Sequence, residues 1–209
     1  MMGRVARLSR AAAWASWAMI SLLSVAGCSS TPNKAAAGMG PFASLYDGKD
    51  DTAFATLFPV TSAAEAIQRG DLAMTQGDTD RALFEYIRAL GLDPKNADTL
   101  YKIGAIHDMR GNQPLAEMAF RWSLKENPKT VGSLTGLGVL LLKARKYEES
   151  RRHLEMAVSI DDRVARAHNA LGILADLDRD YARAQRHYTK ALEGGNKSAA
   201  LLNNLGYSR

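Results

Sequence analysis

The chain has 209 residues, 46% of them apolar and 23% charged, a globular composition that excludes collagenous, disordered and polytopic membrane proteins. Its single cysteine excludes an intramolecular disulfide, and with only four histidines it argues against a cysteine-histidine zinc site. The formal charge of +5 overstates the basic character: Arg4, Arg7 and Arg10 lie in a leader without acids, and beyond it 24 basic residues face 22 acidic ones. A body so near neutrality gives weak grounds for binding a phosphate backbone, and nucleic acid is not an expected partner.

Residues 1–27 read as a secretory signal peptide. A basic stretch to Arg10 precedes an apolar run from Ala11 to Val25, about 15 residues, short of the ~20 a spanning helix needs, and small residues follow. Val25-Ala26-Gly27-Cys28 resembles the lipobox of bacterial lipoproteins. The resemblance implies that Cys28 is acylated on its thiol, becomes the first residue of the mature protein, and is acylated again on its amine. Two or three acyl chains hold a protein at a membrane almost permanently, where one does not. Ser29 stands where an aspartate would signal inner-membrane retention, so the resemblance implies the periplasmic face of the outer membrane. The competing reading is an ordinary cut after Ala26 with Cys28 incidental.

Residues 28–62 read as a tether, rich in small and polar residues with Pro32, Pro41 and Pro59 and without sustained periodicity. A short apolar patch, Phe54 to Phe58, could pack as a cap on the domain that follows. Ser62 followed by Glu65 is a capping-box signature for a helix start.

From residue 63 the chain repeats every 34 residues without insertion. Gly70, Gly104, Gly138, Gly172 and Gly206 form one column; Ala82, Ala116, Ser150 and Ala184 a second; Ala89, Ser123, Ala157 and Ala191 a third; and Tyr86, Phe120, Leu154 and Tyr188 a bulky fourth. Small residues recurring at fixed places let paired helices approach, and glycine costs ~1 kcal/mol in a helix interior, so the glycines imply a compensating packing gain. The pattern resembles the tetratricopeptide repeat, a unit of two antiparallel helices. The resemblance covers units 63–96, 97–130, 131–164 and 165–198 and a partial fifth, 199–209. Pro94 and Pro128 hold the family's proline position, where the third and fourth units have Asp162 and Asn196. It implies an all-α solenoid: a right-handed superhelix with a concave face lined by first helices. The partial fifth unit leaves Leu202 and Leu205 as an apolar stripe, either a minimal terminal cap or the mark of a truncated array.

The resemblance places Tyr101, Ala105, Thr135, Val139, Leu142, Arg166, Asn169, Ile173 and Asn203 on the concave face. Tyr101, Ala105, Val139, Leu142 and Ile173 form an apolar floor; Arg166, Asn169 and Asn203 read polar groups, the two asparagines sharing one column. The basic clamp by which chaperone-binding members grip a carboxylate is missing, Lys102 being an isolated candidate, so an amphipathic helix or extended apolar peptide suits this face better than an acidic tail. Architecture and the Asn203-Asn204-Leu205-Gly206-Tyr207 stretch resemble the lipoproteins of Tad/Flp pilus assembly and other pilotins, which bind a secretin segment. The alternative is an envelope adaptor that recruits peptidoglycan enzymes or a protease.

No catalytic site or cofactor is expected. Gly136-x-Gly138 lacks the third glycine of a dinucleotide fingerprint and follows no strand, and no nucleophile elbow, zinc-protease helix or phosphate loop is present. His107, His153, His168 and His187 show no ligand spacing on one helix face, and His153 and His187, which share a column, would stand about 10 Å apart in neighbouring units. Glu148, Glu149, Arg151 and Arg152 read as a solvated outer face, and Trp122 as a packed aromatic.

Overall fold

A computed structural model describes residues 40–47 and 60–207; the leader, Cys28 and the Phe54–Phe58 patch lie outside them. The described residues form a 3-10 turn, Gly40–Leu45, and nine α-helices: α1 (Ala63–Thr75), α2 (Thr79–Leu92), α3 (Ala97–Met109), α4 (Gln113–Glu126), α5 (Val131–Lys143), α6 (Tyr147–Ile160), α7 (Ala165–Leu177), α8 (Tyr181–Glu193) and α9 (Ala199–Tyr207). The odd-numbered helices start at 34-residue intervals. Each of the first four pairs with the helix after it, and the pairs stack in chain order as a tetratricopeptide-type solenoid. First helices also meet one another, α3 with α5 and α5 with α7, so they form the inner layer.

Local chemistry sets the pairs. Ser62 caps α1 by accepting from the Glu65 amide at 3.2 Å, while the Glu65 carboxylate accepts from the Thr61 amide at 3.0 Å, one residue earlier than in the standard reciprocal box. At each turn inside a pair the chain closes a six-residue hydrogen bond, Asp78 to Ala73, Asn112 to His107, Lys146 to Leu141 and Asp180 to Ala175, at 2.9 Å each time. The closure needs a left-handed residue just before the donor. Gly77 and Gly111 supply it in the first two pairs, but Arg145 and Arg179 take φ of 60° and 62° in the next two, a conformation that disfavours side chains.

The glycine column is a set of sockets. A Cβ on Gly70 would lie 2.5 Å from the Tyr86 ring, one on Gly104 2.6 Å from Phe120, and one on Gly138 2.6 Å from Leu154, and Gly172 faces Tyr188 in the same way. Each first helix thus receives the bulky residue sixteen positions on in its own pair. Gly206, expected to join this packing, instead meets nothing within 4 Å, because no second helix faces α9 among the described residues. The alanine columns, Ala82, Ala89, Ala116, Ala157, Ala184 and Ala191, are buried. Serines in those columns stay buried by bonding: Ser150 donates to the Gly138 carbonyl at 2.7 Å, and Ser123 to the Ala97 carbonyl at 2.8 Å while accepting from Ser133.

Two expectations need correction. The tether reading fails over 40–47, where Leu45 and Tyr46 are buried in the core of the first two pairs. The charged run on α6 joins neighbouring pairs rather than merely facing water: Glu149 bonds Arg121 of α4 at 2.8 Å and Arg151 bonds Asp178 after α7 at 2.6 Å. Six residues on from Glu149 the polarity reverses, with Glu155 bonding Arg183 of α8 at 2.7 Å.

Candidate peptide-binding face

The inner layer brings the expected residues to one side but divides them into two kinds. Tyr101 is half-buried because its ring lies against Gly132 and stacks on Phe120 at 6.3 Å, so it joins the second and third pairs. Val139 and Leu142 pack against the buried cluster around Leu134 and Leu154, and Ile173 against that around Ala175 and Tyr188. The apolar floor therefore serves the stacking as much as it lines a groove. Ala105 is half-buried and Asn203 exposed.

The polar positions carry the distinctive chemistry. Thr135 is only 4% exposed, and its hydroxyl is buried with no hydrogen-bond partner. One unit further, in the same column, the Asn169 carbonyl oxygen is buried and also unpartnered. An unmade bond at a buried polar atom costs about 1–3 kcal/mol, so each is a local cost of packing the inner helices. Oδ1 of Asp176, at the end of the same helix, is a third such atom, although its other oxygen accepts from Tyr188 at 2.6 Å.

Charge on this face is internally paired, a feature the sequence reading missed. Asp108, 10% exposed, accepts from Arg166 at 2.5 Å and lies 3.6 Å from Lys143, although α3 and α7 belong to the second and fourth pairs. Arg166 is 53% exposed, so the bridge is open to water and worth little on its own. Lys102 is not isolated: it donates to Asp71 at 2.8 Å, lies 3.7 Å from Asp98, and sits over the Tyr86 ring. Burial resists ionisation of Asp71, but hydrogen bonds from Lys102 and Tyr86 and the Lys102 charge outweigh it and hold the carboxyl below its usual range. Tyr86 is correspondingly pushed up by burial and by Asp71.

The histidines fall otherwise than spacing suggests. His168 and His187, on the two helices of the fourth pair, meet with their Nδ1 atoms 3.1 Å apart, and His168 Nε2 reaches the Asp162 carbonyl at 3.0 Å. Burial, then the positive charges of His168, Arg183, Arg186 and Arg151, lower His187 to about 4. Among the described residues no three metal-ligating side chains converge.

Comparison with known proteins places this geometry. A family model described as TPR repeat matches residues 70–111, and a second described as tetratricopeptide repeat matches residues 135–199. No curated protein matches the sequence. Among solved structures, MamA of Desulfovibrio magneticus RS-1 superposes with a TM-score of 0.60 at 21% identity, covering 71% of this chain and 84% of its own. The pilF protein of Pseudomonas aeruginosa gives 0.60 at 21% identity, covering 70% and 67%. YrrB, described as a TPR protein with an unusual peptide-binding site, gives 0.58 at 21% identity over 70% and 76%.

Proposed function

From the premise that this chain is a tetratricopeptide-repeat protein, we propose that it is a lipid-anchored envelope scaffold whose inner face holds a segment of a secretin during assembly of a Tad/Flp-type pilus. Repeats of this family generally mediate protein–protein contacts rather than catalysis. The observation that carries the binding reading is that the inner first helices bring the half-buried Val139 and Leu142 to the same side as the exposed Arg166 and Asn203. Polar groups at the margin of such a strip bond the backbone of a bound polypeptide, and Val139 and Leu142 accept its apolar side chains. The peptide site described for YrrB is in keeping with this use of the fold. The envelope and secretin parts rest on the Val25-Ala26-Gly27-Cys28 motif, with Cys28 acylated at the outer membrane, and on the overall resemblance to pilotins.

The test is genetic and biochemical together. Metabolic palmitate labelling should require Cys28, and loss of the gene should leave the secretin unassembled or in the wrong membrane. Normal secretin multimers in the deletion strain would overturn the secretin assignment. Envelope crosslinking that recovers peptidoglycan hydrolases or a protease would point to the adaptor role instead.

A further inference from the structure

We infer that the outer seam between the first two helix pairs is a second peptide-binding site, specific for a short segment of the pattern aromatic-x-x-Leu-Tyr-Asp, and that this chain fills it in cis with its own residues 42–47. The seam is built from α2, the end of α3, and α4, so it lies on the layer opposite the inner face and stands independently of the reading given above.

The contacts are those of a ligand in a site rather than of a passing linker. Leu45 is fully buried among Leu83, Ile87, Ile106 and Ala119. Phe42 meets the Trp122 ring edge-on at 5.8 Å, and Tyr46 meets Phe84 edge-on at 6.2 Å, arrangements that add to simple burial. The backbone is read as well: the Leu45 carbonyl lies 2.9 Å from Nε2 of the buried His107. Burial holds His107 below its usual pKa, so the ring is neutral at pH 7 and donates from Nε2. The end of the segment is read by charge, with one Asp47 oxygen accepting from Arg110 at 2.7 Å and the other from Asn112 at 2.9 Å. Arg110 is itself fixed by Asp80 and Thr79 at the start of α2. Apolar anchors, a backbone bond and a terminal carboxylate contact together define a sequence-selective site.

The fit is incomplete at one end. A cavity of about 300 Å³ remains between Pro41, Phe42, Pro94, Leu100 and Trp122, and side chains that face a void forfeit contacts. The segment is thus a reversible latch, and covalent attachment raises its effective concentration at the seam.

The experiment uses the full chain with Phe42→Ser, Leu45→Ser and Asp47→Ser combined, titrated with a fluorescent synthetic peptide of residues 39–48. The substituted chain should bind the peptide saturably, the native chain at least tenfold more weakly because its site is filled, and a peptide carrying Asp47→Ala at least tenfold more weakly than the native peptide. A folded substituted chain that ignores the peptide, or binds it no better than the native chain does, overturns the inference. Should the substituted chain not fold, chymotrypsin decides on the native one. Bonds after Phe42 and Tyr46 should resist cleavage at least tenfold better than in the free peptide, and Asp47→Ala should remove most of that protection; cleavage at the free-peptide rate overturns the inference equally.

Discussion

The first two pairs and the last described helix stand in different packing environments. In the first two pairs Gly70 and Gly104 receive the rings of Tyr86 and Phe120, and the outer seam is sealed by Leu45. On α9 Gly206 occupies the same column and, among the described residues, meets nothing within 4 Å, while Leu202 is exposed and Tyr207 is 89% exposed. Where a bulky residue stands sixteen positions on, as at Gly70, Gly104, Gly138 and Gly172, it occupies the space a Cβ would take, and Gly206 meets no such residue among the described ones.

Substitutions should separate the two environments. Phe120, which fills the space beside both Gly104 and Gly136, should cost about 3–5 kcal/mol when cut to alanine, whereas Tyr207→Ala should stay within about 0.5 kcal/mol; urea unfolding measures both. Gly104→Ala pushes a methyl into the Phe120 ring and should cost about 1–3 kcal/mol. Gly206→Ala should be neutral or stabilising by up to about 1 kcal/mol, as helix propensity alone dictates. Loss of stability of the same size at both glycines would erase the comparison.

Acid should act on the fourth pair before the first. His187 is neutral in the folded state down to about 4, while the unfolded chain takes up a proton near 6.5. Stability from this group is therefore complete above about 6.5 and is lost as pH falls from there to about 4. Partial exposure screens the effect to about 1–2 kcal/mol. Hydrogen exchange across that range should loosen α7 and α8 ahead of α1 and α2, and His187→Gln should flatten the dependence. A smaller effect attends Arg121→Glu, which places like charges beside Glu117 and Glu149 and should cost about 0.2–1 kcal/mol, recovered in part by adding Glu149→Arg.

The repeat was legible in the sequence because packing imposes one period on small and bulky residues alike. Gly70 and Tyr86 recur as Gly172 and Tyr188 in the same mutual geometry. The latch was not legible: a six-residue 3-10 turn among alanines, glycines and prolines has no period, and only Phe42, Leu45 and Tyr46 hint at burial. Arg145 and Arg179 gave no sign of left-handed backbone, since arginine is no marker for it. Of the inner face the column positions were readable, but the Asp108–Arg166 bridge was not, because it joins residues 58 apart in sequence and depends on how far the stack curves. Thr135 and Asn169 could be placed in one column, yet that their oxygens lack partners is a property of packing alone.

Site-specific photocrosslinking in cells tests most directly whether the inner layer holds a polypeptide. A crosslinker at Arg166 or Asn203 should give a discrete adduct with another protein, while the same group at the exposed Arg152 of α6 or Arg186 of α8 should give none. Adducts of equal yield from both layers, or none from the inner one, would contradict the account.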